Sequence, residues 1–190
     1  MTQVDYIETV EALEAFYEAP ADLVINKVMA ELSPLYEKWI MASRLCMVAT
    51  VGPEGTDDSP RGDTGPVVQV LDSKTLALPD WPGNNRLDSL RNIIRDGRIS
   101  LMFLVAGSDN VVRINGTARL TADPVLRARF DRNGKQPRTV ILVSIHEVYG
   151  QCAQALKRAE TWTAGDQSQD LPTVAELIGE ALEWSAKNTA

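Results

Sequence analysis

The chain is poor in the residues that make metal sites. It has one histidine, His146, and two cysteines, Cys46 and Cys152, in 190 residues. One imidazole excludes a histidine-rich metal centre. His146 stands in an alternating apolar run and reads as a core or strand-face residue. The two cysteines permit one bridge at most, have no metal-type spacing, and are expected as buried free thiols. Positive charge is also scarce. Nineteen Lys and Arg face 26 Asp and Glu, and the formal net charge of -7 opposes a non-specific grip on nucleic acid. The longest apolar run, Ile99 to Ala106, is far short of the roughly 20 residues of a membrane helix. The acidic first twenty residues lack the basic start and apolar centre of a signal peptide, so a cytoplasmic location is expected.

What remains is ordinary globular composition, 44% hydrophobic and 24% charged. A chain of this size buries about 70% of its unfolded surface, enough for one domain with helical additions. Residues 1–43 read as helices packed against a sheet. Ala12, Leu13, Phe16 and Tyr17 recur at helical spacing, as do Leu23, Val24, Val28 and Leu32. Ser33-Pro34 then starts a third helix with an N-cap and a first-turn proline.

From Arg44 the pattern becomes β. Leu45 to Val51 and a strand from about Ser59 to Leu71 flank the turn Gly52-Pro53-Glu54-Gly55. Gly62 and Gly65-Pro66 mark a bend in the second strand where a ligand or other backbone approaches. Further strands are expected at Thr75–Leu78, Ile99–Val105, Val111–Thr121 and Arg138–Tyr149. A helix over 87–94 and a short one started by Asp123-Pro124 interrupt them. The expected unit is mainly β with α additions: a small antiparallel barrel over 44–162. A polar linker, Ala164 to Asp170, leads to a last helix over 172–187, capped by Thr173 and Glu176.

The chemistry concentrates around two segments. Asn84-Asn85-Arg86 stands at the start of the 87–94 helix, where free amides, side-chain amides and a guanidinium can converge on one anion. A plain helix cap with a solvated Arg86 is the alternative. Arg61 lies in Ser59-Pro60-Arg61-Gly62-Asp63, on a strand loosened by glycine. Its alternative is a surface ion pair with Asp58 or Asp63. Together the two segments suit a phosphate monoester.

These segments carry a family resemblance. Ser59 to Asp63, Leu78 to Arg86, Asn92-Ile93, Val112 to Ala118 and Cys152 to Trp162 resemble, in order and spacing, the pyridoxamine 5'-phosphate oxidase-related FMN-binding proteins, the split-barrel flavoproteins. The resemblance spans about 44–162. It implies a six-stranded antiparallel split β-barrel and a homodimer with two FMN sites at the subunit interface. Arg61 and Arg86 would hold the phosphate, assisted by Ser59, Asn84 and Asn85. Gly62 and Asp63 would border the isoalloxazine. Trp81 would pack near the ring or pin its loop. Arg113 and Asn115 would reach the flavin across the dimer, where the alternative for Arg113 is an outward strand residue. Asp63, Arg113 and Gln151 are candidates to tune the ring.

The chain departs from the pattern in two places. No lysine follows the strand arginine, where the sequence reads Asp63-Thr64-Gly65-Pro66, and Gln151 and Gln154 replace a histidine and a lysine common in relatives. True pyridoxamine-phosphate oxidation is therefore not expected. The resemblance implies an FMN-dependent oxidoreductase of unknown small substrate. A non-catalytic FMN carrier or redox sensor, a haem site using His146 or Cys152, and deazaflavin F420 are the alternatives.

Overall fold

The computed structural model describes residues 4–188. Side-chain alternation sets the strands. In β1 (Leu45–Gly52), Cys46, Val48 and Thr50 point into the core, while Leu45, Met47 and Ala49 take the outer face. β1 turns through Pro53-Glu54 into β2 (Gly55–Gly62), with Gly52 opposite Gly55. Register places Asp57, Ser59 and Arg61 on the same face as Thr50, Val48 and Cys46. These polar groups thus continue the core face beyond its apolar edge.

The chain then forms β3 (Gln69–Asp72), β4 (Thr75–Asp80), α1 (Asp88–Arg95), β5 (Arg98–Leu104), β6 (Val111–Thr121) and β7 (Thr139–Gln151). All pair antiparallel, in the order β2-β1-β5-β6-β7-β4-β3. The sheet has seven strands rather than six, and no ladder joins its edge strands β2 and β3. The seventh arises because the single strand expected from Ser59 to Leu71 is divided. At Asp63 the carboxylate accepts from the Thr64 and Gly65 amides at 2.6 and 3.5 Å, turning the chain out of the ladder, and Pro66 offers no N–H to rejoin it.

Phe103, Leu76, Leu78, Leu101, Ile114 and Ile141 fill the interior. The helix α1 closes one end of it over β1 and β2. Buried Asn92 of α1 donates to Thr50 Oγ1 at 3.3 Å. Gly52 must be glycine for this fit, because a Cβ there would overlap the Asn92 side chain.

The N-terminal expectation needs correction. The helix over Pro34–Ala42 (α2) has the expected Ser33 cap and buries Ile40 completely. The two before it, Val10–Glu14 (α3) and Asp22–Asn26 (α4), bury nothing, and Phe16 and Tyr17 are each 73% exposed. Five residues make little more than one turn, too short to lay an apolar stripe on a sheet. The helix over Val174–Asn188 (α5) forms with its Thr173–Glu176 capping box, yet also buries no residue. Among the described residues no helix is long and apolar enough to cross a membrane.

Both cysteines are free. Cys46 is buried, which pushes its thiol up to about 12, but Cys152 is exposed, contrary to expectation. The Cys152 position follows β7, where the chain leaves the core. His146 is an exposed strand-face residue, 3.3 Å from Thr117 Oγ1.

Candidate functional site

Ser59, Arg61, Gly62, Asp63, Trp81, Asn84, Asn85 and Arg86 line one cavity of about 510 Å³. β2 forms one wall and the connection from β4 to α1 the other. Val67, Leu78, Pro79 and Leu90 add apolar surface, and Arg138 adds a third guanidinium.

Arg61 is positioned by neutral groups. Its Nη1 donates to Ser59 Oγ at 2.6 Å and to the Pro60 carbonyl at 3.2 Å, and its Nη2 donates to Ser89 Oγ at 3.4 Å. Buried Ser89 in turn donates to Asp57 at 2.5 Å. The alternative ion pairs do not form. Asp58 lies on the opposite strand face, and Asp63 pairs with Arg132. Among the described residues, neither Arg61 nor Arg138 has a carboxylate within ion-pair distance. Arg86 differs: it is largely exposed and paired with Asp88 at 2.8 Å.

The asparagines do not cap α1. Leu87 occupies the N-cap position with φ 64°, and no side chain caps the helix. Asn84 Oδ1 instead accepts from the Arg86 amide at 3.1 Å, and Asn85, itself at φ 62°, accepts from Arg138 Nη1 at 3.0 Å. The first turn of α1 lines the cavity with its amides uncapped, an arrangement that favours an anion.

Trp81 both lines the cavity and pins its loop. Its ring packs with Phe130 and Val140, and the Arg132 guanidinium sits 4.3 Å from the ring centroid. Asp80, half-buried between Arg61 and Arg138, has its carboxyl pushed above the ordinary range by burial, with the two arginines opposing that shift.

Arg113, Asn115 and Gln151 lie elsewhere. Register aligns Met47, Met102, Arg113 and Tyr149 across four strands, and Ala49, Ser100 and Asn115 in the next row. These rows occupy the outer face, opposite the face that carries Arg61. Arg113 Nη1 donates to Gln151 Oε1 at 3.2 Å, and Asn115 Nδ2 donates to Glu147 at 2.8 Å. Within one chain the two groups do not share a site.

Residues 32–152 match the family model described as pyridoxamine 5'-phosphate oxidase. The chain belongs to this family.

Two solved structures agree on the fold. HupZ from Group A Streptococcus superposes with a TM-score of 0.52 at 18% identity, covering 63% of this chain and 93% of that one. A candidate pyridoxamine 5'-phosphate oxidase from Lactobacillus delbrueckii gives 0.50 at 21% identity, covering 64% and 95%. An FMN-binding protein from Syntrophomonas wolfei gives 0.43 at 14% identity, covering 61% and 83%. No curated protein sequence matches the chain.

Sequence reasoning missed Ser89, Arg138, Arg132 and Asp80 as members or supports of this family member's cavity. Asp80 and Ser89 sit inside or beside the segment already singled out. Arg138 gave no short-range signal, because only the β4–β7 pairing brings it beside Asn85.

Proposed function

We propose that this chain binds FMN in the Arg61 cavity and acts as an FMN-dependent oxidoreductase on a small substrate. The observation that carries the reading is the pair of cavity guanidiniums, Arg61 and Arg138, with no ion pair to any carboxylate among the described residues, beside the uncapped first turn of α1. This donor set fits a phosphate monoester: planar forks and backbone amides facing one space. The cavity volume of about 510 Å³ falls in the range of small-molecule sites.

Arg61, Asn84, Asn85, Arg86 and Arg138 would hold the phosphate, with Ser59 and Ser89 fixing the Arg61 fork. Gly62 and the Asp63 turn would border the isoalloxazine, and Trp81 braces the opposite wall. Bound flavin supplies the two-electron chemistry, so the protein needs no catalytic triad. Asp63 is committed to Arg132, which leaves it an orienting rather than a proton-moving role.

The proposal includes a homodimer in the split-barrel manner, with FMN at the interface. Arg113, Asn115 and Gln151 are on the outer face beside apolar Leu45, Met47, Met102 and Leu104. Only a second copy can bring that face near a flavin held by Arg61. In that dimer the sheet curls into a barrel split between its edge strands β2 and β3.

A second reading is an FMN carrier or redox sensor. Gln151 and Gln154 favour it, since amides stand where relatives hold titratable groups. The haem reading lacks support, because no His, Cys or Met lines the cavity. F420 would use the same phosphate grip.

The test is the absorption spectrum of the purified protein with mass analysis of the released ligand. A flavin spectrum with FMN mass is expected, and Arg61→Ala with Arg86→Ala should abolish FMN retention while leaving the fold and dimer intact. A haem band, an F420 mass, or no uptake of supplied FMN would overturn the reading. Turnover of candidate substrates separates the oxidoreductase from the carrier.

A further inference from the structure

A second cationic cluster lies outside the cavity, where the N-terminal arm returns to the sheet. Met29 and Val148 exchange backbone hydrogen bonds of 3.0 and 2.7 Å, pinning the arm to β7. The register of that bridge sets Lys27 Nζ 2.9 Å from the Gly150 carbonyl and 5.8 Å from the Tyr149 ring centroid. Tyr36 of α2 accepts the Gly150 amide at 3.0 Å, fixing this stretch of β7 from a third element. Arg113 reaches the same ring from β6, its Cζ 5.5 Å from the centroid.

Two cations therefore share one aromatic ring without a counter-charge. Among the described residues neither forms an ion pair. Glu147, on the same face of β7, is held by Asn115 at 2.8 Å. Lys27 has its one protein acceptor in the Gly150 carbonyl, and Arg113 has one in Gln151 Oε1. Arg113 Nε is buried with no partner at all. Tyr149 attracts each cation, but a ring face cannot saturate their N–H donors. Lys27 at 5.8 Å and Arg113 at 5.5 Å from one ring centroid are like charges gathered around the same ring, and they repel. An anionic ligand resolves both the repulsion and the unused donors.

We propose that Lys27 and Arg113 form a second anion site, which takes the carboxylate or phosphate of a small-molecule substrate. That the molecule is the flavin's substrate rests on the reading above; the anion site itself does not. The arm is then a working part of the protein. It carries the ammonium to β7, which explains why a segment with no buried side chain in α3 or α4 ends in a backbone bridge to the sheet.

The test is calorimetric titration of inorganic phosphate, and separately of sodium acetate, into the Arg61→Ala/Arg86→Ala/Arg138→Ala variant, where the cavity grip is gone. One of the two anions should still bind. Adding Lys27→Ala should weaken it about tenfold, the loss of one charge-assisted hydrogen bond, and Lys27→Arg should restore most of that. The anion that binds more tightly names the substrate group. Should the triple variant not fold by circular dichroism, the same Lys27 pair is compared in the FMN-loaded protein. Three results overturn the proposal: no binding of either anion by the folded triple variant, an affinity indifferent to Lys27→Ala, or a Lys27→Ala change in oligomeric state with anion affinity intact. FMN retained by the triple variant would sink the cavity reading and leave this one standing.

Discussion

Arg61 and Arg86 were equivalent in the sequence, and the structure makes them unequal. The perturbation that tests this is truncation of each alone. Arg61 is held by two serine hydroxyls and a carbonyl, with no carboxylate among its hydrogen-bond acceptors. A phosphate engaging its fork gains charge-assisted hydrogen bonds worth about 1.5–3 kcal/mol each, so Arg61→Ala should cost about 2–4 kcal/mol, roughly 30- to 1000-fold in Kd. Arg86 has a 76% exposed side chain and already serves Asp88, so Arg86→Ala should cost about 1 kcal/mol, roughly fivefold. Arg61→Lys keeps the charge but loses the fork and should fall between them. Global stability is expected to move by less than about 1 kcal/mol in Arg61→Ala, because Ser59 and Ser89 still bond each other and Asp57. The assay is flavin-fluorescence titration of FMN into protein stripped of ligand, with thermal melts as the folding control. Equal losses at the two arginines, or an Arg61→Ala Kd within about twofold of the parent, would refute the assignment.

Three further outcomes follow from the geometry. The raised Asp80 carboxyl means the fold favours its protonated form, so its contribution to stability is present at low pH and lost as pH rises through the folded pKa. Asp80→Asn should therefore raise Tm at pH 7 but hardly at pH 4, and should tighten FMN roughly three- to tenfold at pH 7; a Tm gain independent of pH counts against this. At the bulge between Asn115 and Gly116 a Cβ on Gly116 would overlap the Ser144 carbonyl oxygen, so Gly116→Ala should lose at least about 2 kcal/mol in urea denaturation. Leu87 holds a left-handed conformation that costs a branched side chain about 1–2 kcal/mol, so Leu87→Gly should gain up to about 1 kcal/mol in the same assay.

Elements with strong periodicity were legible in the sequence. The β1–β2 hairpin, β5, β6, β7 and the α2 and α5 caps lie where alternation, turn residues and capping signals put them. Failures came where tertiary context decided. The strand through Ser59–Leu71 had continuous β character, but the Asp63 side chain bonds its own following amides and breaks it. The helical spacing of Leu13, Phe16 and Tyr17 was read as a packing stripe, yet spacing cannot say whether any partner surface lies within reach. At the site, both candidate segments converge on one cavity because each meets the same helix start. Arg138 was invisible for the opposite reason, being more than fifty residues from Asn85 in sequence and adjacent only through strand pairing.

The charge inventory of the cavity sharpens what it can select. Arg61, Arg86 and Arg138 line it together with Asp57, Asp63, Asp80 and Asp88, so its wall carries no excess of positive charge. Summed charge therefore cannot be the source of phosphate affinity. Placement can be. Asp63 is committed to Arg132, Asp88 to Arg86 and Asp57 to Ser89, and Asp80 faces Arg61 and Arg138 without reaching ion-pair distance of either, which leaves those two arginines and the uncapped α1 turn as the donors with hydrogen-bonding capacity to spare. Such a site offers strong local hydrogen bonds inside a weak long-range field, in a chain whose net charge repels anions at a distance. Association of FMN should then be slow for a charged ligand and rise modestly with ionic strength as the repulsion is screened, with affinity residing in slow release. Stopped-flow mixing across 20–500 mM salt reads this directly: an association rate that falls steeply with salt would mean that a positive field outside the cavity, and not the fixed forks within it, captures the phosphate.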